Sequence, residues 1–294
     1  MNKILITGAT GNLGSATLDA LLKRVPSTQL AALARDPNAL AHRTAEGVDV
    51  RQGDYTDRAS LVQAFQGVER ALLVSAVAFT DRLPQHLNAI AAAKEAGVRH
   101  LVYTSIQRNE AHPFEISTVT ESDVATERAL ADSGLDTTIL QNPFYLESLL
   151  PVLGPGVLTE VVRVPAGEGR AALASIVDLA EANAAVLTGT GHEGRTYVLG
   201  GGETFSFDDV ARVLSGVAGK TLDYADVSVS EFVAAKVVEG FPEPVAAFLA
   251  EWMQAIGAGS FERVTGDLER LIGRAPLTYS EFLTSAYRPQ PTQG

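Results

Sequence analysis

A glycine-rich turn between a short apolar strand and a helix is the feature that most restricts how this chain can fold. A strand is predicted over residues 3–7, and the turn that follows it opens a helix near residue 12. Gly8 permits the tight turn, Gly11 lets a pyrophosphate approach the main chain, and Gly14 lets the helix pack against the strand. Free N–H groups at a helix start favour a phosphate. The turn therefore predicts a dinucleotide site, although backbone geometry alone could also require these glycines.

Strands and helices alternate through the first half of the chain. This alternation predicts a Rossmann-like, doubly wound parallel α/β sheet. Runs such as Ala71-Leu72-Leu73-Val74 lack polar alternation, as strands buried on both faces do. The predicted strands are 3–7, 29–35, 48–53, 71–75, 100–105 and 137–141, and the predicted helices are 12–24, 37–46, 57–66, 81–96 and 120–133.

The second half of the chain is less regular. Pro151, Gly154, Pro155 and Gly156 are expected to break it after the sixth strand. We predict a Rossmann domain over 1–150 and a smaller, mostly helical lobe over 151–294 that returns a strand or two to the sheet. The tail 289–294 is expected to be loose. The predicted elements are extended runs at 161–165 and 196–200 and helices at 176–188, 206–218, 229–238, 243–256 and 278–286.

Capping boxes, in which a Ser or Thr and an acidic residue three positions later cap a helix, mark several helix starts. These capping boxes mark where helices begin, and we assign them no function beyond this structural role. The predicted pairs are Thr118/Glu121, Ser206/Asp209, Ser228/Glu231 and Thr278/Glu281.

Composition excludes several classes of function. The formal net charge of −12 disfavours binding to nucleic acid or to anionic membranes. The absence of cysteine removes thiolate chemistry, and the five scattered histidines include no pair at the spacing of zinc ligands, which disfavours a metal site. No apolar run reaches the ~20 residues of a membrane helix, and the N-terminus does not resemble a signal peptide. The default location is the cytoplasm.

The end of the second predicted strand distinguishes NADP from NAD. Arg35 and Asp36 lie there, about twenty residues after the glycines. An acidic residue at this point holds the ribose 2′-hydroxyl of NAD, whereas an arginine accommodates the 2′-phosphate of NADP. Arg35 favours NADP, and a cap on the turn at Pro37 explains Asp36 without a ligand. The alternative for Arg35 is a solvated surface residue.

Further cofactor contacts are expected where other strands end, since ligands bind at the carboxyl edge of such sheets. Asp54 could accept a hydrogen bond from the adenine amino group, or simply lie in the turn before a helix. The complete set of predicted cofactor contacts is Gly8, Thr10, Gly11, Asn12, Leu13, Gly14, Arg35, Asp54, Tyr55, Ser75, Ala76 and Thr104.

Seven motifs occur in an order that resembles the NmrA-like atypical short-chain dehydrogenases over nearly the whole chain. Within that family the chain is most similar to the bacterial quinone reductases of the second type and to the triphenylmethane reductases. The resemblance implies a nicotinamide in a cleft between a Rossmann domain and a small substrate lobe, and reduction of quinones or similar conjugated acceptors by NADPH. The motifs are residues 8–14, Ala34-Arg35-Asp36-Pro37, Gly53-Asp54-Tyr55, Gln85-His86-Leu87-Asn88, Ala96-Gly97-Val98, Tyr103-Thr104-Ser105 and Asn142-Pro143-Phe144-Tyr145.

The chain departs from this family at two positions that could face the substrate. Asp123 stands four residues before Glu127 where relatives carry a histidine, and Gln141-Asn142 replaces Arg-Asn. His86 and Glu127 are expected to be packed or anchoring residues rather than catalytic ones.

No lysine lies four residues after a tyrosine in this chain. Such a lysine lowers the tyrosine pKa for alcohol–ketone chemistry, so that chemistry is disfavoured. A quinone requires less, because the charge of a hydroquinone anion is delocalised and a modest donor or water can protonate it. The protein then mainly orients two flat rings.

Three residues are predicted to carry this chemistry. Ser105 could donate to an acceptor oxygen, Asn142 could hold the nicotinamide carboxamide or the substrate, and Tyr145 could stack on the acceptor or donate to it. Their plainer roles are a strand cap, a turn residue and a core residue. Phe79 and Phe144 could supply apolar walls.

The leading hypothesis is an NADPH-dependent oxidoreductase acting on a small quinone-like substrate. The alternative is a non-catalytic NADP(H) sensor that regulates a partner protein, which the NmrA resemblance also implies. A third interpretation, a reductase or epimerase of sugar-like or phenylpropanoid substrates, is weakened by the missing lysine. A homodimer is left open.

Overall fold

A seven-stranded parallel sheet flanked by helices organises the molecule, whose computed structural model describes residues 3–111 and 113–288. The tail 289–294, expected to be loose, lies outside the described residues. The strands are β1 (Lys3–Ile6), β2 (Leu30–Ala34), β3 (Asp49–Gln52), β4 (Val68–Leu73), β5 (His100–Ile106), β6 (Asp136–Asn142), β7 (Val162–Val164), β8 (Arg195–Val198) and β9 (Tyr224–Asp226).

Helices cover both faces of this sheet and form most of the second half of the chain. The helices are α1 (Asn12–Leu22), α2 (Ala41–Ala45), α3 (Arg58–Ala64), α4 (Arg82–Glu95), α5 (Thr120–Asp132), α6 (Leu149–Leu153), α7 (Ile176–Thr188), α8 (Phe207–Ala218), α9 (Val229–Val238), α10 (Glu243–Gly257), α11 (Asp267–Ile272) and α12 (Tyr279–Tyr287).

The strand order is β3-β2-β1-β4-β5-β6-β8, and every neighbouring pair is parallel. Every residue of β2 and β5 is buried, as expected of strands covered on both faces, and Ala71, Leu72 and Leu73 of the predicted apolar run in β4 are buried as well. The order reverses at β1, whose neighbours are β2 and β4. A crevice therefore opens between the loops that follow β1 and β4, where ligands bind in folds of this type. The prediction of a doubly wound Rossmann-like sheet is confirmed.

The second half of the chain contributes to this sheet as well as forming its own core. Helix α7 packs on α1, and β8 pairs with β6. Strands β7 and β9 form a separate two-stranded sheet. Around it, residues of α8, α9, α10 and α12 bury a second apolar core that includes Phe207, Phe232 and Leu283. The division at residue 150 stays a prediction.

Two predictions at element ends are wrong. Pro151 does not break the chain, because it lies in the first turn of α6, where a proline removes no intrahelical hydrogen bond. Thr118 does not cap α5, which begins at Thr120 without a side-chain cap. Thr118 instead has a φ of +62° and donates from Oγ1 to the Ala78 carbonyl at 2.6 Å. The other three predicted capping boxes are confirmed.

No helix of the described residues combines the length and the apolar character needed to cross a bilayer.

Candidate active site

The glycine turn leaves the start of α1 without a side-chain cap. Gly8 has a φ of +59°, which side chains disfavour, and Gly11 occupies the N-cap position. A Cβ added at Gly14 would lie 2.2 Å from the Gly8 carbonyl oxygen. Gly14 therefore allows the helix to start against the turn itself, rather than against the strand as predicted. Main-chain N–H groups at this helix start can receive a phosphate.

A cavity of about 350 Å³ lies beside this turn at the carboxyl edge of the sheet and is called the glycine-turn cavity. Eight of the predicted cofactor contacts line it: Gly8, Thr10, Gly11, Arg35, Asp54, Tyr55, Ser75 and Ala76. The other four do not line it. Asn12, Leu13 and Gly14 form the first turn of α1, with the Leu13 side chain in the core, and Thr104 is buried on β5.

Charged groups surround the end of β2 at the mouth of this cavity. The Arg35 side chain is exposed and forms no ion pair with any described residue. Asp36 accepts a hydrogen bond from the Asn38 main-chain N–H at 3.0 Å, so its capping role is confirmed. Asp54 accepts from the Thr56 N–H at 2.8 Å, and this bond, aided by Arg35, lowers the Asp54 pKa. A cationic group is thus available at the point predicted for a 2′-phosphate.

Two of the predicted contacts support the main chain beyond β4. The Tyr55 hydroxyl donates to the Val74 carbonyl at 2.8 Å and also lies within hydrogen-bonding distance of Thr7 Oγ1. Thr104 Oγ1 accepts from the Ser75 N–H at 3.0 Å. Burial raises the Tyr55 pKa, so this hydroxyl stays protonated. Tyr55 therefore forms part of the cavity wall, Thr104 does not line the cavity, and both support the segment that follows β4.

A second cavity, of about 310 Å³, adjoins the first and is called the acceptor cavity. Ser75 lines both cavities. On one side the acceptor cavity is apolar, with Phe144 from the loop after β6 and Phe248 and Trp252 from α10. The Phe144 and Trp252 ring centroids are 5.0 Å apart. The predicted wall residue Phe79 contacts Phe248, with centroids 5.1 Å apart. A flat aromatic ligand fits such walls.

The predicted chemical residues Ser105, Asn142 and Tyr145 all line the acceptor cavity, and we call these three side chains its polar side. Ser105 Oγ donates to Glu127 Oε1 at 2.5 Å, and Arg108 holds the same carboxylate. Burial alone would raise the Glu127 pKa, but the hydrogen bonds from Arg108 and Ser105 outweigh it and lower the value. The proton of Ser105 is thus bound to an ionised carboxylate. The expected donation by Ser105 to an acceptor oxygen does not fit this geometry, and Glu127 has the expected anchoring role.

Asn142 and Tyr145 lie next to each other on this polar side. Asn142 Nδ2 donates to the Tyr145 hydroxyl at 3.4 Å, while the buried Asn142 Oδ1 has no partner among the described residues. Burial raises the Tyr145 pKa, and the nearby Asp123 charge adds to the rise. The Tyr145 hydroxyl is therefore protonated at neutral pH, and Tyr145 lines the acceptor cavity.

The model of the NmrA-like family matches residues 1–283. The chain belongs to the NmrA-like family. Quinone oxidoreductase 2 of Escherichia coli (strain K12) is 37% identical over 285 residues, which are 97% of this chain and 98% of that protein. The crystal structure of the E. coli NADPH-dependent quinone oxidoreductase with NADPH has a TM-score of 0.91 at 36% identity, covering 97% of this chain and all of that one.

Two further solved structures are similar to this chain. Triphenylmethane reductase of Citrobacter sp. in complex with NADP(H) has a TM-score of 0.91 at 33% identity, covering 97% of this chain and 99% of that one. NmrA, a negative transcriptional regulator in complex with NADP, has a TM-score of 0.76 over 97% of this chain and 95% of its own, but only 17% identity. That likeness shows the fold alone. The predicted family is confirmed, and the predicted enzyme class and cofactor agree with these relatives.

This NmrA-like chain also carries a buried polar network that its sequence did not predict. Asp123 on α5 pairs with Arg82 on α4 and accepts a hydrogen bond from Tyr103 of β5, and the Tyr103 ring packs against His86 on α4. Arg82 and Asp123 line the acceptor cavity. The residues come from three elements that are separated in the chain. The sequence motifs around His86 and Tyr103 and the departure at Asp123 lay in this region, but none of them indicated that these side chains meet.

Sequence reasoning also missed the aromatic wall supplied by α10. Phe248 and Trp252 follow the spacing of an ordinary amphipathic helix, which predicts core residues. Within the described residues, no group of three or more His, Asp or Glu side chains is placed to hold a metal ion.

Proposed function

We propose that this chain is an NADPH-dependent oxidoreductase that transfers hydride to a quinone or a similar conjugated acceptor. The observation that carries this proposal is that the glycine-turn cavity and the acceptor cavity share Ser75. A protein that only sensed the dinucleotide would need the first cavity but not an aromatic-walled second cavity beside it. The identity with quinone oxidoreductase 2 supports the same class of reaction.

The residues around the glycine turn fit NADPH. Gly11 and Gly14 leave the main chain open at the start of α1, where a pyrophosphate would lie. Arg35 is exposed at the end of β2, where it would pair with the 2′-phosphate. Ser75 and Ala76 would face the nicotinamide half, since they line the end of the cavity next to the acceptor. Bound there, NADPH supplies the hydride.

The acceptor cavity fits a flat ring with a polar edge. Phe144, Phe248 and Trp252 would contact the ring faces and exclude water. Tyr145 and Asn142 lie on the polar side, where they would meet the oxygen atoms of the acceptor. Holding two rings in contact is most of the catalytic task, because the cofactor carries the difficult chemistry.

The proton balance assigns Tyr145 the donor role. A quinone that gains a hydride, which is two electrons and one proton, needs one further proton to become the hydroquinone. Tyr145 stays protonated because burial raises its pKa, and its hydroxyl would supply that proton and recover one from water. Ser105 would act through its oxygen as a positioning group, since its proton is held by Glu127.

Turnover with purified protein tests this proposal. We expect NADPH to be oxidised in step with reduction of a small benzoquinone or naphthoquinone, and with a kcat/KM at least about tenfold above that with NADH, as a charge-assisted phosphate contact implies. A triphenylmethane dye should be included as a second acceptor. Tight NADPH binding without turnover of either acceptor would replace this proposal with the sensor hypothesis. A cytoplasmic location, a homodimer and the absence of nucleic-acid binding stay predictions.

A further inference from the structure

The segment 75–80 lies between the two cavities. It follows the end of β4, beyond the residues of that strand that pair with its neighbours in the sheet. β4 ends at Leu73. Ser75 lines both cavities, Ala76 lines the glycine-turn cavity, and Ala78 lines the acceptor cavity. A nicotinamide ring that reaches an acceptor must therefore pass this segment. Its main-chain position sets the distance between the two reacting rings.

The Ala76 peptide groups are held on both sides by buried side chains of α4. The Ala76 N–H donates to His86 Nε2 at 2.8 Å, and Arg82 Nη1 donates to the Ala76 carbonyl at 2.5 Å. His86 is fully buried and Arg82 is 6% exposed. These contacts replace the strand partners that the main chain has lost.

The hydrogen-bond network fixes the protonation state of His86. Thr126 Oγ1 donates its own proton to the Ser122 carbonyl at 2.7 Å, so it can only accept from His86 Nδ1–H at 2.8 Å. The proton of the neutral imidazole is therefore on Nδ1, and the lone pair of Nε2 accepts the hydrogen bond from the Ala76 N–H. Burial, aided by the Arg82 charge, lowers the His86 pKa to about 3. The imidazole remains a neutral acceptor throughout the physiological range.

A second set of contacts orients Arg82. Its Nε donates to Ser122 Oγ at 2.8 Å, and its Nη2 pairs with Asp123. The Tyr103 hydroxyl donates to the same Asp123 carboxylate at 2.6 Å. Buried ion pairs generally stabilise a fold less than apolar packing of the same volume would. In the Arg82–Asp123 ion pair, Arg82 also donates a hydrogen bond to the Ala76 carbonyl, so the role of the pair is better explained by the need to hold this loop in one position.

We propose that His86 and Arg82 are positioning residues for hydride transfer, and that they act by fixing the Ala76 peptide between the two cavities. This inference rests on the proposed function for its kinetic consequence. It also makes a separate claim about binding. His86 and Arg82, which we call the Ala76 clamp, position the nicotinamide half of the dinucleotide and do not contribute to binding of the adenine half.

The test compares two buried histidines. His86→Asn keeps a donor near Thr126 but removes the acceptor for Ala76. His100→Asn is the matched control, because His100 is equally buried and bonds Thr138 Oγ1 through Nε2 at 2.8 Å, at the opposite edge of the sheet. For both variants we would measure kcat with a quinone, the deuterium isotope effect with NADPH labelled at the transferred position, and the Kd values of NADPH and of 2′-phospho-ADP-ribose, which lacks nicotinamide.

We expect His86→Asn to lower kcat by about tenfold to hundredfold, as a small misplacement of reacting groups does, and to raise the isotope effect. Its Kd for NADPH should rise severalfold while the Kd for 2′-phospho-ADP-ribose stays within about twofold of wild type. His100→Asn should change none of these values. Equal weakening of both ligands, or wild-type values for all of them, would overturn the proposal.

A milder variant covers the case in which His86→Asn does not fold. Thr126→Val removes the group that fixes the His86 tautomer and keeps the side-chain shape. We expect the same pattern with a smaller, severalfold loss of kcat, whereas an unchanged kcat and an unchanged Kd for NADPH would overturn the proposal. If the wild type reduces no quinone, the proposed function fails, but the two binding constants still decide whether the clamp places the nicotinamide half.

Discussion

The two cavities that meet at Ser75 are built from different parts of the chain. The glycine-turn cavity lies at the ends of the neighbouring parallel strands β1 to β4, and the main-chain turn of Gly8 and Gly11 forms part of its wall. The acceptor cavity is formed by side chains from the loop after β6 and from α10, which lie about a hundred residues apart in sequence. Both sites are assembled by the tertiary fold, but only the first contains a main-chain turn that a short sequence motif specifies.

This difference indicates that the choice of acceptor can vary more readily than the choice of cofactor. A main-chain site tolerates little change, because a Cβ at Gly14 would meet the Gly8 carbonyl. A side-chain site such as the wall formed by Phe248 and Trp252 can be reshaped residue by residue without moving the sheet. We therefore expect the cofactor to be fixed by the fold and the acceptor to be set by exchangeable side chains.

The variant expected to have the largest effect is Gly14→Ala, which tests whether the cofactor site depends on the main chain of the glycine turn. The added Cβ would lie 2.2 Å from a main-chain oxygen, so the turn must move, at a cost of about 1–3 kcal/mol of unfolding free energy. We expect NADPH binding, measured by fluorescence titration, to fall by about two orders of magnitude, since both the turn and the helix start are displaced.

Gly216→Ala is the control for that change. Gly216 lies in α8 with open space around it, so alanine should leave binding unchanged and raise the unfolding free energy by about 0.5–1 kcal/mol. If Gly14→Ala bound NADPH as wild type does, the glycine turn would not be the cofactor site.

Arg35→Ala tests the one cationic side chain among the described residues that line the glycine-turn cavity. Loss of a charge-assisted phosphate contact should cost about 1–3 kcal/mol of NADPH binding free energy. NADH has no 2′-phosphate and serves as the internal control, so its Kd should stay the same. Calorimetric titration of both dinucleotides measures the two values. Equal weakening would show that Arg35 does not recognise the phosphate.

Tyr145→Phe tests whether the Tyr145 hydroxyl in the acceptor cavity acts as a proton donor. Removal of the hydroxyl should lower kcat with a quinone by about tenfold, a modest loss for a proton donor because water can replace it. The Kd for NADPH should not change. Tyr197→Phe is the matched control, since Tyr197 bonds His192 away from both cavities. A Tyr145→Phe enzyme with wild-type kcat would remove Tyr145 from the mechanism.

The smallest expected effect concerns the pH dependence of stability. The folded-state pKa of Glu127 lies below its ordinary value of 4.5, because bonds from Arg108 and Ser105 outweigh burial. The stability that Glu127 contributes is therefore present above pH 4.5 and is lost as pH falls through the lower, folded-state value. In urea unfolding, the difference between wild type and Glu127→Gln should shrink below pH 4.5. A constant difference would argue against this ion pair.

The parts of the fold that follow local patterns could be predicted from the sequence. The glycine turn, the strand ends that carry Arg35 and Ser75, and helix α7 are all specified by neighbouring residues. Family resemblance added the expectation of a cleft. Ser105, Asn142 and Tyr145 were expected to line that cleft, and they meet in one cavity because β5 and β6 are neighbours and Tyr145 follows β6.

Other parts could not be predicted, because long-range contacts override local preference. Thr118 has a capping-box pattern with Glu121, yet its hydroxyl bonds Ala78, forty residues away in sequence. The proton of Ser105 is held by Glu127, a side chain on α5 that no strand pattern places next to β5. The Ala76 clamp likewise depends on where α4 and α5 pack, which the spacing of His86 and Asp123 does not reveal.

A crystal structure of the protein with bound NADPH tests the central claim most directly. The account predicts the pyrophosphate at the start of α1 against Gly11, the 2′-phosphate beside Arg35, and the nicotinamide ring next to Ser75 with one face open toward Tyr145. A nicotinamide ring turned away from the acceptor cavity, or a dinucleotide bound elsewhere with the glycine turn free, would contradict it.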